Sequence, residues 1–536
     1  MSLRKLAQTY NCSEAKGIFP FKLNDIYYSG SFPRFDYFIN INLETYLINS
    51  QMFNNQIWNF KDEAIKYCKL DCLILYQILI QFNELIFNEF KVNIDKVLTL
   101  PALAMRIYKS LFLSKNSIYQ IHGITEVDIR KSYTGGSVDV YIPHNRISSW
   151  LINDNVEYEK LFYYDVNSLY PYVMSQKQMP IGKPTFFEGD ISKINPQAFG
   201  FFYCEISSPL FLDHPILQRR IKTINGTRTI AGLGTWTDWI FSEEMYNAMK
   251  YGYTFNIIKG YIFDKADLFS DYVSKMYNIR LQYPKTNPMN QIAKLLMNSL
   301  YGKFGMKDDI TRIEILNNIT DQDKAHINEV LDIYKGDIID LINLDGYTMI
   351  IFKDITDIHY DDKNDMYHGT EVNISIASAI TAYARIHMSI FKNIPDVKIY
   401  YSDTDSIVTN VPLPDWMVGT ELGQVKLEHV IKKAVFLAPK VYALITEDNK
   451  EIIKVKGLRH DVISKLRFSD FEALLIKDFS REFIQEKWFT SITKSEISIS
   501  DVIYTLKTTS NKRELIYENG VFNNTLAYNY EDIEVK

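Results

Sequence analysis

No CxxC pair occurs among the four cysteines, Cys12, Cys68, Cys72 and Cys204, so neither a zinc ribbon nor a disulfide framework is supported and a reducing compartment fits. No apolar run reads as long and uninterrupted enough to span a bilayer, which argues against a membrane protein. The opening MSLRKLAQTYNCSEAK has no apolar core of a secretory signal and no amphipathic transit pattern. An excess of positive charge is also missing: 59 basic against 65 acidic residues give a net charge of −6. That excludes a histone-like protein held on nucleic acid by bulk charge, but not an enzyme with a local basic groove and metal ions.

What is present is a globular composition, 46% hydrophobic and 23% charged over 536 residues, too long for one ordinary core. Ile, Asn, Lys, Tyr and Phe are abundant, residues of A/T-rich codons, which points to an organellar or plasmid genome. Residues 61–91 repeat apolar positions at helical spacing, and 98–113 look helical after Pro101. SYTGGSVDVYIP then breaks into a glycine turn and an alternating strand. LFYYDVNSLYPYVM reads as a strand ending at Asp165 followed by a short helix from about Ser168. Residues 268–282 and 289–302 form a helical hairpin around YPKTNP. Residues 306–370 are acidic and irregular, an inserted surface module. Residues 371–393 carry small residues suited to packing under a sheet, and VKIYYSDTDSIVTN reads as strand, turn, strand. Residues 456–536 alternate helical and polar segments.

The chemistry centres on Asp165, at the end of one strand, and Asp403 with Asp405 at a hairpin tip. Magnesium prefers hard oxygen ligands, so carboxylates converging from two strands would make a phosphoryl-transfer site. Taken alone, Asp-x-Asp in a turn is ordinary, since aspartate favours turns. On the 289–302 helix, Lys294, Asn298 and Tyr301 fall at i, i+4 and i+7, a cationic, polar and aromatic stripe. A solvated lysine beside a core tyrosine is the plainer alternative. Asn298 in mid-helix and the close pair Gly302 and Gly305 favour a functional face. The hairpin brings Arg280 to a similar level as Lys294, two cations for a triphosphate, whereas Lys285 in the turn reads as solvated.

DVNSLYP (165–171), KLLMNSLYG (294–302) and YSDTDS (401–406) resemble motifs A, B and C of family B DNA polymerases, in the family's order. SYTGGSVDVY resembles the YxGG turn of protein-primed members, and APKVYALI contains their KxY pattern at Lys440 and Tyr442. The overall resemblance, from about residue 1 to 515, is to polymerases of linear mitochondrial plasmids.

The resemblance implies an α/β (α+β) fold: a right hand of palm, fingers and thumb with an antiparallel palm sheet, preceded by a partial ribonuclease H-like exonuclease domain. Its expected divisions are an exonuclease remnant (1–130), the start of the palm (131–181), a first insertion (182–258), fingers (259–305), a second insertion (306–370), palm with motif C and KxY (371–455), and thumb with C-terminal tail (456–536). It implies Asp165 and Asp405 as principal metal ligands with the Val166 carbonyl as a third, for two Mg2+ ions that Mn2+ can replace, and Asp403 as an orienting catalytic carboxylate. Tyr170 would stack under the sugar and reject a 2′-hydroxyl. Arg280 and Lys294 would grip the triphosphate, and Asn298 and Tyr301 would line the nascent base pair. Tyr133, Gly135, Gly136, Ser168, Gly302, Lys440 and Tyr442 would contact DNA, with Lys440 and Tyr442 at the primer end. The implied partners are template and primer DNA, deoxynucleoside triphosphates and a terminal protein primer, with no membrane, in a mitochondrion.

The departure lies at the beginning. The family's proofreading site needs Asp-x-Glu, a second aspartate and a Tyr-xxx-Asp helix, and here only Tyr67 and Asp71 supply the last element. A segment like SLRKLAQTYN follows the second exonuclease motif in the family, so the chain is expected to start just after it, as a fragment or an eroded gene, without proofreading. The rival reading is a non-catalytic remnant that binds DNA or terminal protein. A reverse transcriptase fits less well, because that class carries adjacent aspartates and lacks KLLMNSLYG.

Overall fold

Seven antiparallel strands build the sheet on which the acidic residues sit. Their order is Glu451–Val455, Val441–Thr446, Val425–Ala438, Leu161–Val166, Ser406–Thr409, Ile399–Asp403 and Val138–Val140. The computed structural model describes residues 3–533 except 13–16, 40, 55, 96, 98, 115–116, 148–156, 224–225, 307–310, 337, 354–358, 362–365, 369–371, 492–495 and 511. The described residues divide into two packed units, Met1–Leu113 with Tyr272–Leu300, and Ser114–Asp271 with Tyr301–Lys536.

In the first unit, the 31-residue helix Phe60–Phe90 starts where the Asn59 side chain accepts from the Asp62 amide. Ile74 and Ile78 on its buried face pack against Ala7 and Tyr10. The helices Ser270–Gln282 and Pro288–Phe304 are joined by polar contacts at their turn and further along their length. Asn290 donates to the carbonyls of Arg280 and Tyr283, each at 2.8 Å, and the Tyr272 hydroxyl donates to the Leu296 carbonyl at 2.9 Å.

In the second unit, alternating apolar residues of the central sheet build its core, where Phe436 stacks on Tyr401 at 5.0 Å with the rings 8° apart. The helix Ile374–Lys392 is buried almost all round, as its small residues lead one to expect. A four-stranded sheet, Met179–Glu188, Thr254–Ala266, Gly200–Ser207 and Thr235–Phe241, has its own core. Gly200 is needed there: a Cβ would come within 1.9 Å of the Tyr261 carbonyl oxygen.

Three expectations are corrected. The irregular module contains order: Thr311–Asn317, Ile338–Leu344 and Tyr347–Lys353 form an antiparallel sheet with the helix Asp321–Ile333, while 307–310, 337, 354–358, 362–365 and 369–370 lie outside the described residues. In its first strand Ile313 and Ile315 are exposed on either side of Glu314, and Leu316 packs against the buried Ile327, Val330, Ile350 and Phe352, a pattern that the acidic composition hid. The C-terminal region is dominated by two hairpins, Arg481–Ser491 with Glu496–Leu506 and Glu514–Glu518 with Val521–Leu526, rather than by helices. Two helices, Phe60–Phe90 and Ile374–Lys392, are long and apolar enough to cross a membrane by length and composition. In Ile374–Lys392, 83% of the apolar window is inside the protein, so it is a core helix, whereas the Phe60–Phe90 window is 17% buried. The Phe60–Phe90 stretch is not an uninterrupted apolar run, because uncharged Gln and Asn punctuate it, with Asp71 and Glu84 its only charges from 70 to 87.

Candidate active site

Backbone pairing brings the two acidic motifs together. Asp165 lies opposite Ser406 in the ladder, and the Val166 amide donates to the Asp405 carbonyl at 2.7 Å. Asp405 therefore sits at the end of the strand that Asp165 and Val166 terminate, although 240 residues separate the two aspartates in sequence. Each motif contains a residue in left-handed backbone: Ser168 at φ 53° before the helix Leu169–Gln176, and Thr404 at φ 50° between the two aspartates. For a β-branched threonine this conformation costs about 1–2 kcal/mol.

The aspartates differ in environment. Asp403 accepts two hydrogen bonds from Lys440 Nζ, at 2.7 and 2.8 Å, and further ones from the Thr404 hydroxyl at 3.2 Å and the Tyr401 hydroxyl at 3.3 Å. Asp405 is pushed above the ordinary carboxylate range by burial and by the charge of Asp403, with its backbone hydrogen bond and Lys440 acting the other way. A cation beside Asp405 would relieve that penalty. Among the described residues, no group of three or more His, Cys, Asp and Glu could hold a metal ion. A cation here would take Asp165, Asp405 and a carbonyl such as that of Val166, a hard-oxygen donor set that fits Mg2+, with water and substrate oxygens completing the shell.

Tyr170 and Tyr301 stack at 4.2 Å with the rings 12° apart. Burial raises both phenols, so each stays a neutral hydroxyl. The Tyr133 hydroxyl lies where a side chain on Gly305 would be, within 2.4 Å of a built Cβ. Gly136 is similarly constrained: a Cβ would meet Thr404 Cα at 2.9 Å. The YxGG turn is thus packed directly beneath the aspartate turn. Gly135 and Gly302 are open to solvent.

Tyr442 packs its ring against Tyr401 and Phe436 at 5.4 and 5.9 Å, and Lys440 takes φ 63° in the turn before it. Lys294 and Asn298 are exposed on the helix Pro288–Phe304, and Arg280 is half-buried with no hydrogen-bond partner at Nε. These three belong to the first unit. Tyr67 and Asp71 lie four apart on the helix Phe60–Phe90, where Tyr67 packs on Phe19 at 5.3 Å.

Residues that local sequence does not reveal hold the turn from behind. Buried Arg385 pairs with Glu244 through two contacts of 2.7 Å, and its other nitrogen donates to the carbonyls of Thr134 and Gly135. Gln218 donates to the Gly135 carbonyl at 2.9 Å and Arg220 to the Tyr133 carbonyl at 3.2 Å. The only advance signal was a charged residue inside an otherwise small and apolar helix.

The family described as DNA polymerase type B, organellar and viral, matches residues 1–396. The chain belongs to this family. A probable DNA polymerase of Neurospora intermedia is 34% identical over 93% of the chain, and one of Ascobolus immersus is 33% identical over all of it. The chain spans about half the length of these relatives, 51% and 43%. Phi29 DNA polymerase complexed with primer-template DNA and incoming nucleotide substrates superposes with a TM-score of 0.61, at 19% identity, covering 95% of this chain and 78% of that one. At that identity the likeness establishes the fold, the right-hand polymerase fold with an antiparallel palm sheet.

Proposed function

We propose that the chain is a DNA-directed DNA polymerase that adds deoxynucleoside triphosphates to a primer 3′-hydroxyl. The observation that carries this is the pairing of Asp165 with the Asp405 turn while Lys440 neutralises Asp403. Two Mg2+ ions bound there would supply Lewis acidity for the attacking hydroxyl and the leaving pyrophosphate, and Mn2+ can substitute. Asp165 and Asp405 hold the charge at the reacting end, and Asp403 with Lys440 sets the local balance. Arg280 and Lys294 supply cations to the triphosphate. Tyr170, supported by the Tyr301 ring, forms a rigid floor under the sugar. Lys440 and Tyr442 hold the primer end, and Tyr133, Gly135, Gly136, Ser168 and Gly302 meet DNA backbone.

Priming by a terminal protein is part of this proposal on the YxGG and KxY resemblances, and replication of a linear plasmid in a mitochondrion on the overall resemblance to linear mitochondrial plasmid polymerases; the organellar and viral description of the family is compatible with both. Primer extension with Asp405→Asn as control discriminates this from a DNA-binding remnant. Equal activity in both proteins would refute the mechanism, and activity in neither would favour the remnant.

Two further outcomes are expected. Tyr170→Ala raises the ratio of ribonucleotide to deoxynucleotide incorporation by roughly 10- to 100-fold, the range that shape discrimination at one contact supplies; single-nucleotide kinetics with both sugars measure it. The chain degrades no single-stranded DNA from its 3′ end, because Asp71 alone cannot assemble a two-ion nuclease site. Release of labelled mononucleotides by the purified chain would overturn this.

A further inference from the structure

Behind the aspartate turn lies a buried charged cluster that the reaction itself does not use. Asp139, 4% exposed, accepts a 2.6 Å hydrogen bond from the Ser137 hydroxyl, and that oxygen in turn accepts from Lys392 Nζ at 2.7 Å. Lys392 is also 4% exposed, in the last turn of the core helix Ile374–Lys392. The carbonyl of the same Ser137 accepts from the Thr404 amide at 2.9 Å. Asp139 is paired with Ser402 across the strands, so by alternation it shares a face with Ser402 while Asp403 lies on the other.

Lys512 and Arg513, just before the C-terminal hairpin, and Thr525 within it complete the cluster. Lys512 places its charge near Asp139, Lys392 and Asp403. Arg513 lies over the Tyr141 ring at 4.9 Å and donates to Thr525 Oγ1 at 2.8 Å; that hydroxyl donates to the Val140 and Tyr141 carbonyls. Burial alone would raise the Asp139 carboxyl, yet Lys392, Lys512, the Ser137 hydroxyl and Arg513 bring it below its ordinary range. A buried carboxylate kept charged, a lysine directed at one hydroxyl, and a strained threonine bonded to that same residue are three separate observations.

We propose that Ser137, Asp139 and Lys392 are positioning residues that hold Thr404 in its left-handed conformation and so pre-form the Asp403–Asp405 turn for cations. A strained residue persists only where its surroundings over-determine it, and the peptide of Ser137 is fixed at both ends, through its hydroxyl and its carbonyl. The link to cations rests on the polymerase reading; the link to Thr404 does not.

The test uses the full chain without metal, DNA or nucleotide. Amide hydrogen exchange is followed in a peptide spanning 401–408, and Mn2+ binding by paramagnetic resonance, for wild type, Ser137→Ala, Ser137→Thr and Lys392→Met. Loss of the hydroxyl or the ammonium is expected to speed exchange at Thr404 and weaken Mn2+ binding, each by roughly five- to tenfold, as for one lost hydrogen bond. Exchange in the Val425–Ala438 strand stays unchanged, and Ser137→Thr restores both values. No change at Thr404, or equal acceleration along the Val425–Ala438 strand, overturns the proposal. If Lys392→Met does not fold, Ser137→Ala, which deletes one oxygen, decides. Altered exchange with no extension activity in the wild type would sink the polymerase reading and leave the positioning role standing.

Discussion

Asp405→Asn is expected to lower primer extension by about 10^3-fold or more while leaving DNA binding and thermal stability near wild type, since metal-borne charge stabilisation is worth several kcal/mol. Asparagine keeps the shape of the side chain and loses the charge. It also removes the like-charge repulsion from Asp403 that, together with burial, raises the Asp405 carboxyl in the absence of a cation. The folded protein therefore loses little, and can even gain, by the substitution; the cost falls on cation binding. Asp403→Asn differs, because it strips Lys440 of its partner. Steady-state incorporation measured over a Mg2+ titration separates the two: for Asp405→Asn the loss persists at saturating metal.

The second large effect is on stability. Arg385→Met is expected to destabilise the second unit by about 3–5 kcal/mol, the cost of leaving one member of a buried ion pair alone. Arg385 and Glu244 are each 7% exposed, and the guanidinium also satisfies the Thr134 carbonyl. Replacing both residues, Arg385→Met with Glu244→Met, should recover much of the loss, because no charge then remains buried without a partner. Urea unfolding of the single and double variants checks this. Because Thr134 and Gly135 belong to the turn packed under Thr404, the double variant is expected to fold yet lose activity.

The three acidic and helical motifs were legible because each is local. KLLMNSLYG sits on one helix, while DVNSLYP spans a strand end and the helix that follows and YSDTDS spans two strands and their turn, so each motif occupies one short contiguous stretch whose apolar neighbours reveal its elements. Helix Phe60–Phe90 and the hairpin around YPKTNP were readable for the same reason. The supports were not. Ser137 meets Lys392 across 255 residues, and Arg385 meets Glu244 across 141, and no periodicity encodes such meetings. In Arg481–Ser491 the alternation of Phe483, Gln485 and Lys487 with Ile484, Glu486 and Trp488 was present, but neither set is uniformly apolar. A two-stranded ribbon with both faces mixed lacks the one-sided pattern by which strands are recognised. The neutralisation of Asp403 by Lys440 likewise depends on a turn 37 residues away, so sequence alone could rank the two aspartates only by resemblance.

The most direct measurement of the central claim is single-nucleotide extension of a labelled primer by the 536-residue chain on four templates that differ at the next base. The predicted result is addition of the complementary deoxynucleotide alone on each template, abolished by chelation of divalent cations and by a primer ending in a 3′-deoxy sugar. A chain that binds the same primer-template yet extends it on none of the four, with Mg2+ or Mn2+ at saturation, would contradict it.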